Sequence, residues 1–184
     1  MTRRQLSLMA LASIAAAPAR IQAQEESGSW LGVLAKRLPA YGHRNWVVIA
    51  DSAYPLQSNP GIETVVSESD YLRVLHAALD LISKTPHVRP IIYTDKELQF
   101  VPDSDAPGIS AFRQRLATVL NNQPVQTIPH EEIIHKLDEA ARTFNVLIIK
   151  TNLTLPYTSV FLQLDCAYWG ADAEQRLRQS MQGR

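Results

Sequence analysis

The sequence predicts a layered α/β fold: one domain built on a sheet of mostly parallel strands, with helices on its faces. Two observations predict it. Short apolar runs rich in β-branched residues alternate with longer segments whose apolar positions recur every three to four residues. The length, 184 residues, suits a single hydrophobic core, and no internal repeat divides it.

The N-terminus stands apart. Residues 1–23 have a basic start (Arg3, Arg4), an apolar stretch from Leu6 to about Ala17, and an A-x-A-like end at Ile21-Gln22-Ala23. This is the layout of an export signal, and the apolar part is shorter than the roughly 20 residues a bilayer span needs. The stretch Thr2-Arg3-Arg4-Gln5-Leu6-Ser7-Leu8 also resembles a twin-arginine signal. An ordinary export signal with two adjacent arginines is the other reading. Either way the expected location is outside the bacterial cytoplasm, in the periplasm, with residues 24–184 as the working domain.

Cleavage after Ala23 removes three Arg and no acid, leaving 15 basic and 18 acidic residues, a net charge of −3. That balance gives no electrostatic reason to bind nucleic acid or membrane lipid. Cys166 is the only cysteine, so no internal disulfide forms, and the sequence around it offers nothing to activate a thiolate; it reads as a small buried apolar residue.

The elements follow in order. Residues 29–38 (SWLGVLAKRL) place apolar side chains at 30, 31, 34 and 38, a helical spacing that Pro39 and Gly42 stop. Trp46–Ala50 is a continuous apolar run, a buried strand. Residues 52–61, with Ser, Pro, Asn and Gly, are a loop, and Ile62–Val66 is a second strand. Tyr71, Leu75, Ala78 and Ile82 line one helix face. Residues 88–93 are strand-like, with Pro90 arguing for an edge or an irregularity. After a loop at 102–108 come a helix over Ile109–Leu120 and a short strand at Val125–Ile128. Ile133, Leu137, Ala140 and Phe144 mark another amphipathic helix, residues 145–150 and 160–164 are the last strands, and the charged tail from Ala171 is helix-prone.

The motif HEEIIH at 130–135 invites a zinc reading and fails it. A zinc-protease helix needs its two His four positions apart; here they are five apart, about 140° around a helix. No Gly-rich phosphate loop and no G-x-S-x-G elbow is present. His130, after Pro129, opens a helix with Glu131 and Glu132 in its first turn. The plainer reading is a capping or surface His; the other is a neutral imidazole able to hydrogen-bond a sugar hydroxyl. His76, His87 and His135 sit in helices or turns without a partner pattern. The stretch GHRNWVVIADSAYP at 42–55 puts His43 before the first strand and Asp51 at its end. Ligands of parallel sheets bind at the carboxyl ends of strands, which favours Asp51 as a ligand contact; a turn-starting Asp is the alternative.

That stretch also resembles the N-terminal signature of the D-ribose pyranase and L-fucose mutarotase family, roughly G-H-x-D, an apolar run, D-A, then Pro. Gly42, His43, Asp51 and Pro55 match. PHEEI at 129–133 resembles the family segment that carries a sugar-binding His, which falls on His130. NVLIIKTNLTLPYTSVFLQL at 145–164 resembles the closing strand, turn and strand in which a Tyr-x-Asn contacts substrate, and Tyr157 matches the Tyr. The resemblance runs from about Leu31 to Leu164. Departures are Asn45 for the usual Asp, Ser52 for Ala, Lys150-Thr151-Asn152 for Thr-Gly-Glu, and Ser159 for the Asn of Tyr-x-Asn. The C-terminal extension and the export signal are also unusual for the family.

The resemblance implies an isomerase that interconverts cyclic forms of a free ribose- or fucose-like aldose without metal or other cofactor. It implies His43 as proton donor, Asp51, His130 and Tyr157 on sugar hydroxyls, and Ser159 at the last binding position. It implies ring-shaped homo-oligomers with sites at subunit contacts. Two alternatives stand beside it: a non-catalytic sugar-binding or scaffold protein that keeps the oligomeric fold, motivated by Ser159 and the altered 150–152 turn, and an isomerase of a different small metabolite. One constraint is geometric. Eight extended steps at roughly 3.3 Å put His43 and Asp51 about 26 Å apart, so either both ends of the strand curl inward or neighbouring subunits complete each site.

Overall fold

The structure, a computed structural model, describes residues 29–121 and 123–182; the export-signal reading lies outside them. Its elements are α1 (Trp30–Arg37), β1 (Trp46–Ala50), β2 (Ile62–Val66), α2 (Tyr71–Ser83), β3 (Val88–Asp95), α3 (Ile109–Leu120), β4 (Val125–Ile128), α4 (His130–Ala141), β5 (Val146–Lys150), β6 (Val160–Cys166) and α5 (Ala171–Gln182). Two 3-10 turns, Leu38–Ala40 and Lys96–Gln99, have no signature in the sequence pattern.

The six strands form one sheet in the order β2-β5-β1-β6-β3-β4. β2, β5 and β1 pair in parallel, as do β3 and β4. β6 runs antiparallel between β1 and β3. Five strands therefore point the same way, and their carboxyl ends share one edge with the amino end of β6. This matches the expected mostly parallel sheet.

The two-residue period of the strands sorts side chains onto two faces. Val47, Ile49, Ile92, Leu147, Ile149 and Leu162 face one core, covered by α1, α2 and α3. Trp46, Val48, Ala50, Tyr93, Ile148 and Phe161 face the other, where α4 packs Ile133, Leu137 and Ala141. All five residues of β1 are buried, as its unbroken apolar run requires. Caps set the helix starts: Ser29 accepts from the Gly32 N–H, and Asp70 accepts from the Leu72 and Arg73 N–H groups.

Several expectations shift by a few residues. β3 continues past 93 through Thr94 and Asp95, which pair with Thr127 and Ile128 of β4. Pro90 lies in a part of β3 opposite Leu164 of β6 but beyond the reach of β4, so an interior strand tolerates its missing donor there. α4 ends at Ala141, with Phe144 beyond it. Cys166 is half-buried at the end of β6 and not a core residue, because the sheet thins there. α5 forms as expected, yet none of its residues is buried. No helix among the described residues is long and apolar enough to cross a membrane.

Candidate active site

A cavity of about 380 Å³ opens at the carboxyl edge of the sheet, within the size range of small-molecule sites. Asp51 reaches it from the end of β1, Asp95 from the end of β3, His130 from the start of α4, and Tyr157 and Ser159 from the loop that leads into β6. Tyr54, Pro55, Ile134 and Pro156 add apolar wall. Strand order makes this convergence: β1, β6 and β3 are neighbours, so their edge residues meet although they are far apart in sequence.

Each side chain is held. The Asp51 Oδ1 accepts from the Ala53 N–H at 2.8 Å, so Asp51 starts a turn and also lines the cavity. Ser159 is nearly fully buried, on the face of β6 shared with Phe161, by the same two-residue alternation that puts Asp95 beside Tyr93. The Tyr71 hydroxyl, fully buried, is shared between the Ile49 carbonyl at 3.0 Å and the Thr158 carbonyl at 2.6 Å, tying the end of β1 to the Tyr157–Ser159 loop. Tyr157 itself adopts φ 55°, a left-handed conformation that costs a bulky residue of order 1 kcal/mol and that clusters at functional sites.

His130 is gripped twice. Its backbone N–H donates to both carboxylate oxygens of Glu97, at 3.1 and 3.0 Å. Pro129, the N-cap, has no side chain for this job, so Glu97 from the 3-10 turn supplies it and places a negative charge at the positive end of α4. The imidazole Nδ1 lies 3.0 Å from the Asp95 Oδ1, and the Tyr157 ring meets the imidazole edge to face at 5.6 Å between centroids. Asp95 is fully buried, and its Oδ2 has no hydrogen-bond partner among the described residues. Burial raises its carboxyl to about 6; the hydrogen bond and charge of His130 oppose the rise, while Glu97 and Asp51 add to it. Burial also pushes the Tyr54 phenol well up, with Asp138, Asp95 and Asp51 contributing, so it stays a neutral hydroxyl in the wall.

His43 lies elsewhere. It is exposed, in a turn where Arg44 takes φ 76° and Asn45 receives the Gly42 N–H and donates to the Asn145 carbonyl. It borders a second hollow of about 520 Å³ with Arg89, Asp165, Trp169 and Glu174, at the opposite edge of the sheet. β1 is fully extended between the two ends, so within one chain His43 and the Asp51–His130 cavity do not meet. Among the described residues no group of three or more His, Cys, Asp or Glu is placed to hold a metal ion. His135 faces Glu139, one turn on, away from His130.

A family model described as the RbsD / FucU transport protein family matches residues 32–166. The chain belongs to that family. Among solved structures it is similar to RbsD of Bacillus subtilis complexed with D-ribose, at 19% identity and a TM-score of 0.50, over 72% of this chain and 91% of that one. It is also similar to the fucose mutarotase of Streptococcus pneumoniae in complex with L-fucose, at 20% identity and a TM-score of 0.46, over 71% and 89%. FucU of Bifidobacterium longum aligns at 17% identity and 0.46, over 73% and 94%. No curated protein matches the chain.

The RbsD / FucU match ends at Cys166, so α5 lies beyond it. Of the residues singled out in the sequence, the fold brings Asp51, His130, Tyr157 and Ser159 together and leaves His43 apart. Sequence reasoning missed Asp95, Glu97 and Tyr54. Asp95 had a faint signal, an acid directly after an apolar strand run, the same pattern that drew attention to Asp51. Glu97 had none, because a cap supplied from 33 residues away leaves no local mark.

Proposed function

We propose that this protein is a cofactor-independent monosaccharide mutarotase or pyranase acting on a free ribose- or fucose-like aldose. The observation that carries the reading is the single carboxyl-edge cavity that gathers Asp51, His130, Tyr157 and Ser159. Membership in the RbsD / FucU family supports it. Its mix of apolar wall and convergent carboxylate, imidazole and hydroxyl groups suits a small polyhydroxylated ring.

Mutarotation needs two proton transfers. A base takes the anomeric hydroxyl proton, and that O–H pair becomes the carbonyl. The bond from the anomeric carbon to the ring oxygen breaks, and the ring oxygen takes a proton from an acid. Closure on the other face, or by another hydroxyl, runs the same transfers backward. Each positioned transfer is worth ~10²–10⁴-fold. In our reading His43 of a neighbouring copy is the acid, Asp51, His130 and Tyr157 hold hydroxyls, and Ser159 occupies the last binding position with one hydroxyl where Asn would offer two groups. A ring-shaped homo-oligomer provides the neighbour. The working protein is exported, in keeping with the layout of residues 1–23.

Saturation-transfer NMR on ribose, fucose and galactose with the protein lacking residues 1–23 tests this. Accelerated exchange for one aldose, lost in His43→Ala, is the expected result. Sugar binding without exchange would favour a non-catalytic sugar-binding protein, a reading that the distance of His43 from its own cavity keeps in view.

A further inference from the structure

We propose that Asp95 and His130 work as one acid–base pair in the carboxyl-edge cavity, Asp95 fixing the imidazole through Nδ1 so that Nε2 exchanges a proton with a sugar hydroxyl. The proposal rests on the sugar-isomerase reading above and supplies what that reading lacks: a proton acceptor inside each chain, to work opposite the donor His43.

The geometry is that of an oriented histidine. Nδ1 lies 3.0 Å from a carboxylate oxygen that no solvent reaches. Nε2 has no protein partner among the described residues, and the imidazole lines the cavity with about a third of its side chain exposed. A carboxylate on one ring nitrogen fixes the tautomer, puts the lone pair on the other, and steadies the imidazolium that forms when that lone pair takes a proton. The Glu97 clamp on the backbone N–H and the Tyr157 ring on the imidazole edge restrict the remaining freedom.

A purely structural salt link would leave the carboxylate fully satisfied. Here Oδ2 is buried and unpartnered among the described residues, an expensive arrangement with no evident packing return. Among the described residues nothing else near Asp95 offers a compensating cation. The groups facing it are His130 from α4, Glu97 from the 3-10 turn, Asp51 from the β1 end and the phenols of Tyr54 and Tyr71, so His130 is its sole positive counterpart when protonated.

The step balances. The anomeric O–H proton moves to Nε2, the freed pair forms the carbonyl, the ring C–O bond breaks, and the ring oxygen takes a proton from His43. On closure both protons return, and the pair is reset without any co-reactant.

Nitrogen-15 NMR of the His130 ring and exchange kinetics together decide the matter. In the wild type we expect an Nδ1-protonated neutral tautomer, with the lone pair on Nε2. Asp95→Asn should shift that tautomer, lower the sugar exchange rate at saturation by roughly 10-fold or more, and displace the acid limb of the rate–pH profile, with sugar affinity changed under roughly threefold. A His130 tautomer and rate–pH profile unchanged in Asp95→Asn would overturn the proposal. Should that variant fail to fold, the wild-type spectrum decides alone: an Nε2–H tautomer overturns it. Because the spectra need no substrate, a wild type that shifts His130 as expected yet accelerates no aldose would sink the isomerase reading and leave the pairing intact.

Discussion

The Asp95 carboxyl is raised from an ordinary 3.8 to about 6, chiefly by burial, against the pull of its bond to His130. A raised acid favours the folded state in its neutral form. That contribution is complete below pH 3.8 and is lost as the pH climbs through about 6. Above that range the folded protein carries a buried anion, at a cost of up to about 3 kcal/mol. Asp95→Asn mimics the neutral acid at every pH. It should therefore be more stable than the wild type at pH 8, by up to about 3 kcal/mol, with the gap closing by pH 4; urea midpoints across that range are the measurement. A variant more stable but slower would be the trade expected of a site residue. A second residue-scale expectation concerns Tyr71, whose hydroxyl bridges two backbone carbonyls inside the core. Tyr71→Phe should cost about 1–2 kcal/mol in denaturant unfolding, since the ring still fills its place while two buried acceptors lose a donor.

Among the elements, α4 bears most directly on the site because its first residue is His130. Its start depends on Glu97, so Glu97→Ala should cost about 1 kcal/mol and speed amide exchange at His130 more than at Leu137, one turn and more inside. The same helix ends against β2. A Cβ on Gly61 would collide with the Ala141 carbonyl oxygen and stand 3.0 Å from that of Phe144. Both are backbone atoms, so neither yields cheaply. Gly61→Ala should destabilise by about 1–3 kcal/mol, read as a lower urea midpoint. α5 is the contrast. It buries nothing, and its local ties are the Trp169 indole and the Arg178 guanidinium on Glu174. A chain ending at Gly170 should keep its melting temperature within about 2 °C, because little apolar area leaves water when α5 forms.

For the whole molecule the decisive fact is the separation of His43 from the cavity holding His130. If neighbouring copies complete each site, His43→Ala and His130→Ala homo-oligomers are each inactive, but dissociating, mixing and reassembling them should restore about a quarter of wild-type exchange, the share of random contacts that pair two intact residues. A mixture as inactive as its parents would show that the two histidines do not cooperate across a subunit contact. Sedimentation of the same samples reports whether contacts form at all.

Local composition located β1, β2, α3 and β4 to the residue, because apolar and β-branched runs bounded by turn-forming residues mark where an element starts and stops, and that signal is local. Family resemblance marked Asp51, His130 and Tyr157 for the same reason: each sits in a short segment whose own residues carry the signature. Tertiary structure decided what local pattern cannot encode. The order β1-β6-β3-β4 brings Asp95 to His130 across 35 positions and Glu97 to the same helix start. An extended five-residue strand holds His43 away from all of them. Strand adjacency is a contest among alternative pairings, settled by how helices cover two faces at once, and no single segment records its outcome.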